Sequence, residues 1–166
     1  RDLTKTIARG ERHRSNKELY SAEFEFKKAL RIDEENIRAT FDLGLTYLDR
    51  QDKKKAELVF RRLVQLKEAF DKEHKHMFNE FGIKLRQNQM YKQALKYYAR
   101  AFKLEKEDEH LFYNMARVFY EKGSSKASKR FLKKAVSLNP DFPEACNFLK
   151  NLEREKPKKS KYNMQA

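Results

Sequence analysis

An all-α fold built from repeated helical hairpins is predicted by three observations. Glycine (4) and proline (3) are scarce among the 166 residues and tryptophan is absent, so little in the chain breaks a helix. Long runs of Lys, Glu, Leu, Ala and Arg carry high helix propensity. A set of small and aromatic landmarks also recurs in one register. Gly10, Gly44, Gly82 and Ala116 are 34, 38 and 34 residues apart, and Ala22, Ala56, Ala94 and Ser128 repeat the same steps. So do Phe26, Phe60, Tyr98 and Leu132. Several landmarks held in one register exclude coincidence.

The repeats are read in order. The first carries Arg9, Gly10, His13, Ala22, Phe26 and Ala29, and the second Leu43, Gly44, Tyr47, Ala56, Phe60 and Leu63. The third carries Phe81, Gly82, Leu85, Ala94, Tyr98 and Ala101, and the fourth Met115, Ala116, Phe119, Ser128, Leu132 and Ala135. Each is a pair of helices that cannot bury its apolar face alone, so stacking of neighbours supplies the core. The small residue on the first helix is expected to meet the small residue on the second, with Tyr47, Phe60 and their counterparts filling the space between hairpins. Arg9 stands where the later repeats hold an apolar residue, which makes the first helix the weakest match. Helix breaks are expected at 14–17, 51–53, 87–90 and 122–125, with Asp52 and Ser125 as N-caps and Gly123 as a terminator.

The hairpins therefore occupy 1–142, as about 3–36, 37–70, 75–108 and 109–142. The step of 38 implies a four-residue insertion at 71–74 that lengthens the second helix of the second repeat. Ala145, Phe148, Leu149 and Leu152 follow Pro140 at helical spacing, which predicts a capping helix over 143–156. The polar, basic tail at 157–166 is expected to be disordered.

On these landmarks the chain resembles the tetratricopeptide family, over about residues 3–142. The family's bulky aromatic near the start of each repeat is present as Phe78 and Phe112, with Thr6 and Thr40 in the earlier repeats. Its helix-ending proline is present as Pro140. The resemblance implies a right-handed superhelical solenoid of antiparallel hairpins. It also implies a protein-interaction scaffold whose first helices line a concave groove for a partner peptide. By repeat register, the groove residues expected to touch that partner are Arg38, Phe41 and Asp42, then His76, Asn79 and Arg86, then His110, Tyr113, Asn114 and Arg117. Leu45, Asp49, Glu80, Ile83 and Tyr120 share the face, and Leu45 and Ile83 could equally serve only to pack neighbouring helices. Receptors of this family for acidic chaperone tails place Lys, Asn, Asn, Lys and Arg in the groove. The matching positions here hold Ile7, Glu11, Asp42, His76 and Glu80, or Phe41, Leu45, Glu80, His110 and Asn114 one repeat later. Asp42 and Glu80 would repel a carboxylate, so that subtype is excluded.

Thirty-nine basic residues against 25 acidic give a net charge of +14, which invites a polyanionic partner. The cations are ordered. Lys28, Arg62, Arg100 and Lys134 share one place in the repeat, Lys54, Lys92 and Lys126 a second, and Lys96 and Arg130 a third between them. Rows four residues apart lie on one helix face. The alternative reading is thus a convex basic ladder, led by Lys92, Lys96, Arg100, Lys126, Arg130 and Lys134, that binds nucleic acid or an anionic surface. Tyr97, Tyr98 and Phe102 fall in the core register and are poor candidates for stacking on bases.

Other classes find no support. There is no Gly-rich phosphate loop, zinc-type cysteine pair or nucleophile elbow, so no enzyme, cofactor or metal is expected. His74 and His76, two residues apart, point to different sides of a helix and make a poor metal pair. The single cysteine, Cys146, reads as an apolar filler and suits a cytoplasmic location. No apolar run approaches the roughly 18 residues that span a bilayer. A chain that starts at Arg1 rather than Met is expected to be part of a longer protein. Tyr20 and Phe24, with Leu58 one repeat on, occupy outer places that are basic elsewhere, which suggests a surface covered by an upstream domain or another subunit.

Overall fold

The computed structural model describes residues 2–66 and 74–155. The expected insertion at 71–74 lies almost wholly outside them. So does the basic tail at 157–166, together with Lys156. All regular secondary structure among the described residues is helical. The helices are α1 (Leu3–Ser15), α2 (Leu19–Ile32), α3 (Ile37–Asp49), α4 (Lys53–Leu63), α5 (Lys75–Gln87), α6 (Tyr91–Leu104), α7 (Glu109–Glu121), α8 (Ser125–Leu138) and α9 (Pro143–Arg154). The pairs α1–α2, α3–α4, α5–α6 and α7–α8 pack as hairpins. Two compact units result, Arg1–Lys106 and Glu107–Ala166.

The hairpin turns share one backbone solution. Lys17, Gln51, Gln89 and Gly123 have φ of 64°, 59°, 60° and 92°, in the left-handed region. The next residue's N–H reaches back across the turn in every case. Glu18 N donates to His13 O, Asp52 N to Tyr47 O, Met90 N to Leu85 O and Ser124 N to Phe119 O, each at 2.9 Å. This is the Schellman arrangement, which satisfies carbonyls that a helix end leaves orphaned. Only Gly123 is the residue type this conformation favours, so sequence flags one turn of the four. Asp52 caps α4 by accepting from Lys55 N at 3.2 Å. Ser125 is not a cap. Ser124 holds that place, without a side-chain bond, and Ser125 is the first helical residue.

In the first unit α2 packs on α3, and the first helices α1, α3 and α5 lie side by side. The core is aromatic. Phe41, Phe81 and Tyr97 are fully buried. Phe81 meets Phe41 edge-on at 5.7 Å, Tyr97 at 5.5 Å and Phe60 in a stack at 6.4 Å. Phe78 closes the cluster against Tyr97 at 5.5 Å.

The glycines play a different part from the one expected. A Cβ on Gly10 would lie 2.5 Å from the Phe26 ring, and one on Gly82 would lie 2.4 Å from the Tyr98 ring. The small residue thus makes room for the aromatic of its hairpin partner rather than for the small residue there. A Cβ on Gly44 would lie 2.6 Å from the Phe81 ring and 3.1 Å from Val59. Since Phe81 is wedged in the aromatic cluster, it cannot retreat. Gly44→Val is expected to lower stability by about 1–3 kcal/mol in a denaturant titration, despite the gain in helix propensity.

In the second unit α8 packs on both α7 and α9. Here the small residues do meet, since Ser128 Oγ donates to Ala116 O at 2.8 Å. Phe131 stacks on Phe119 at 5.1 Å, and Leu132, Ala135, Ala145 and Leu152 are buried. Pro143 at the start of α9 fits the first helical turn, where its missing N–H costs nothing.

Candidate functional site

The first-helix face of the first unit is a connected set of charges. Arg38 bonds Glu11 of α1 at 2.7 Å and Asp42, one turn along α3, at 3.3 Å. Arg14 of α1 reaches Asp49 of α3 at 3.0 Å and Glu80 of α5 at 3.2 Å. Lys84 of α5 returns to Asp49 at 3.0 Å. Through Arg14, Asp49, Glu80 and Lys84 three hairpins are tied together, and Arg14 and Glu80 stand 66 positions apart in sequence.

Asp42 is the unusual member. Burial pushes its carboxyl up to about 7, and the neighbouring Glu11 pushes the same way. Arg38 and Arg14 pull it down without overcoming burial. Glu23 behaves in the opposite way. Burial would raise it, but bonds from Lys27, Arg50 and Tyr47 hold it down at about 2. The Arg50 guanidinium that clasps Glu23 also lies over the Tyr20 ring, 4.0 Å from its centroid.

The expected partner-binding residues separate into groups. Phe41 is part of the core and offers nothing to a partner. Asp42 and Arg86 are buried as well, and Leu45 packs between helices. Arg38 is half exposed but engaged by two carboxylates. His76 is exposed and Asn79 half-buried.

In the second unit the corresponding face is aromatic and open. Tyr113, Arg117, Tyr120 and Glu121 of α7 and Phe148 of α9 line a cleft of ≈ 250 Å³. Phe148 stands edge-on to Tyr120 at 5.2 Å and to Tyr113 at 6.4 Å. Arg117 lies 6.0 Å from the centre of the Tyr113 ring, and no carboxylate pairs with it among the described residues. His110 rests edge-on against Phe142 at 4.9 Å, and Asn114 is half-buried beside it on α7.

Sequence reasoning missed Arg14, Lys84 and Phe148 as parts of these faces. Arg14 occupies the register of Arg86 and Tyr120, so carrying that register back to the first hairpin would have found it. Phe148 belongs to the closing helix, where no repeat register applies.

On the outer faces, Lys92, Lys96 and Arg100 of α6 and Lys126, Arg130 and Lys134 of α8 are all exposed. Part of the row at Arg62 and Arg100 has internal work. Arg62 donates to Glu34 O at 3.3 Å and Arg100 to Val64 O at 2.7 Å. Each closes a carbonyl near the end of the preceding hairpin's second helix, where the helix dipole is negative. Cys146 is half-buried with its Sγ 3.6 Å from Pro140 O. No group of His, Cys, Asp and Glu among the described residues is placed to hold a metal ion. No helix among them is long and apolar enough to cross a membrane.

The sequence model of the tetratricopeptide repeat matches residues 37–70 and 109–142. No curated protein matches the chain. Among solved structures, a crystal structure of MamA is 21% identical with a TM-score of 0.69, covering 90% of this chain and 80% of that one. PilF of Pseudomonas aeruginosa is 20% identical with a TM-score of 0.69, covering 90% and 67%. The hetero-tetramer of Cut9 and Hcn1 from the APC/C contains a chain 16% identical with a TM-score of 0.67, covering 92% and 30%. At these identities the likeness carries the fold, and the model match identifies two of the hairpins as tetratricopeptide repeats. With its helical hairpins, landmark register and matched repeats, the chain carries tetratricopeptide repeats at 37–70 and 109–142 within a fold of tetratricopeptide type.

Proposed function

We propose that the chain is a non-enzymatic interaction scaffold that holds a segment of a partner protein along its first helices. The observation that carries this reading is the cleft of Tyr113, Arg117, Tyr120 and Phe148. Three rings converge there with a guanidinium that no carboxylate pairs with among the described residues, and these residue types dominate protein interfaces. The matched tetratricopeptide repeats support protein partners in general, and one structural neighbour is a chain of the Cut9–Hcn1 hetero-tetramer. The paired face of the first unit serves the same scaffold by stiffening it, because its inner cations are already engaged.

Affinity capture from nuclease-treated lysate tests the reading. A defined protein should remain bound, and Arg117→Ala with Tyr120→Ala should reduce its retention about tenfold or more. Retention that survives this double variant sinks the cleft as the binding site.

A second reading has its own support. Lys92, Lys96 and Lys126 are exposed and face no acidic partner among the described residues. Binding of a polyanion through them would vanish with nuclease or moderate salt, and with Lys96→Glu and Arg130→Glu, while the cleft variants would leave it intact.

A further inference from the structure

The outer face of the first two hairpins differs from the rest of the chain in a way that neither reading uses. Tyr20 is 75% exposed, Phe24 61% and Leu58 63%. These are large apolar side chains that folding leaves in water, and nothing in the core requires them there. They form one patch. Tyr20 and Phe24 are four residues apart on α2, so they share a face. Leu58 holds the place of Phe24 on α4. The two helices are neighbours on this side, since Lys55 of α4 lies 4.0 Å from Glu23 of α2 and Arg62 bonds the carbonyl of Glu34 just past α2.

Cations predominate around the patch, and the acids beside it, Glu18 and Glu57, are engaged by His13 and Arg61. Along α2 the outward stripe runs Tyr20, Phe24, Lys28, Arg31, with Lys17 in the turn before it. Along α4 it runs Lys54, Leu58, Arg61. Neither stripe contains an acidic residue. The edge of the patch continues into a cleft bordered by Lys5, Arg9, Lys28 and Arg31, with Asp2 the only acid there. The equivalent stripes on α6 and α8 are equally basic and carry an exposed apolar side chain only at their last residue, Leu104 (39%) and Leu138 (40%), with no exposed aromatic.

This combination selects among occupants. A second copy of the chain would bring the same cations against these, and the net charge of +14 opposes that approach. A bound peptide wants a concave, apolar cleft, whereas these side chains stand out from the surface. Protruding aromatic and aliphatic groups ringed by Lys and Arg suit an anionic lipid interface. The apolar groups enter the headgroup boundary and the cations meet lipid phosphates and carboxylates. Tyrosine favours that boundary, with an apolar ring and a polar hydroxyl. Arg50, stacked on Tyr20 and anchored by Glu23, holds the ring in place.

We infer that the outer face of hairpins one and two, through Tyr20, Phe24 and Leu58 and the surrounding Lys17, Lys28 and Lys54, docks on the surface of an anionic bilayer. The first-helix faces stay free for a protein partner, so this inference stands or falls apart from the scaffold reading.

The absence of tryptophan from the chain makes Tyr20→Trp a single reporter. The test is co-sedimentation with phosphatidylcholine vesicles, with and without phosphatidylserine, alongside emission of the Tyr20→Trp protein. Binding only to phosphatidylserine-containing vesicles is expected, with a blue shift of the Trp emission. Phe24→Ser with Leu58→Ser should weaken binding about tenfold or more while the far-UV circular dichroism stays unchanged. Failure to sediment with either vesicle overturns the inference. So does binding indifferent to the serine variant but abolished by Lys96→Glu and Arg130→Glu, which would move the anionic contact to the other hairpins. A concentration-dependent dimer that the serine variant dissolves, with no vesicle binding, also overturns it and assigns the face to a second copy.

Discussion

Phe81→Ala is expected to destabilise the protein by about 3–5 kcal/mol, a large share of what a domain of this size possesses. The ring is fully buried and touches three others, Phe41, Phe60 and Tyr97, contributed by three different helices. Its loss opens a cavity bounded by rigid rings, which collapse poorly, and removes ring contacts, edge-on to Phe41 and stacked on Phe60, each worth about 0.5–1.5 kcal/mol beyond area burial. Phe81 also presses on Gly44 of the neighbouring hairpin, so the variant loosens the join between hairpins two and three. A denaturant titration followed by circular dichroism measures the effect. Phe24→Ala is the control, because its exposed ring should change stability by no more than about 0.5 kcal/mol. Equal losses for the two variants would show that the aromatic cluster is not the centre of the first unit.

Much of this fold was legible because a repeat reports the same physics several times. Any one small residue followed by an aromatic means little. Gly10, Gly44 and Gly82 in one register with Phe26, Phe60 and Tyr98 mean helices in close contact, and the structure places rings against those glycines. Register could not say which partner fills the space. It assigned the small residue of the second helix, while a ring fills it at Gly10 and Gly82. Register also failed where burial depends on the neighbouring hairpin. Phe41 reads as a groove residue by its position on α3, but Phe78 and Phe81 of the next hairpin cover it completely. The outer cations illustrate a third limit. Lys96 and Arg100 look alike in sequence, yet only Arg100 has a carbonyl within reach, because that depends on where α4 ends. Charge pairing across hairpins leaves no pattern in a single sequence, and so the role of Arg14 became visible only when Asp49 and Glu80 were seen beside it.

The same inner network supports the second large effect, in which Asp42→Asn is expected to stabilise the protein at pH 8 and hardly at all at pH 4. The folded Asp42 carboxyl titrates at about 7 against an ordinary value of 3.8. Between those values the folded state holds a proton that the unfolded chain has released. Stability therefore falls as pH rises through this window and levels off above it. The shift spans about three pH units, each worth ~1.4 kcal/mol, so the full penalty above pH 7 approaches about 4 kcal/mol. Asparagine keeps the shape and removes the charge. Its amide can donate to Glu11 as the protonated carboxyl does, and Arg38 retains its 2.7 Å bond to Glu11. Besides Asp42 itself, the charged groups here are Glu11 and Arg14 from α1 and Arg38 on its own helix, with Asp49, Glu80 and Lys84 tied in through Arg14. Thermal unfolding of the two proteins at pH 4 and pH 8 measures the difference directly. A variant that gains the same amount at both values would show that burial of Asp42 carries no proton-linked cost. A variant that loses stability at pH 8 would show that the ion pair with Arg38 outweighs the burial of the carboxylate.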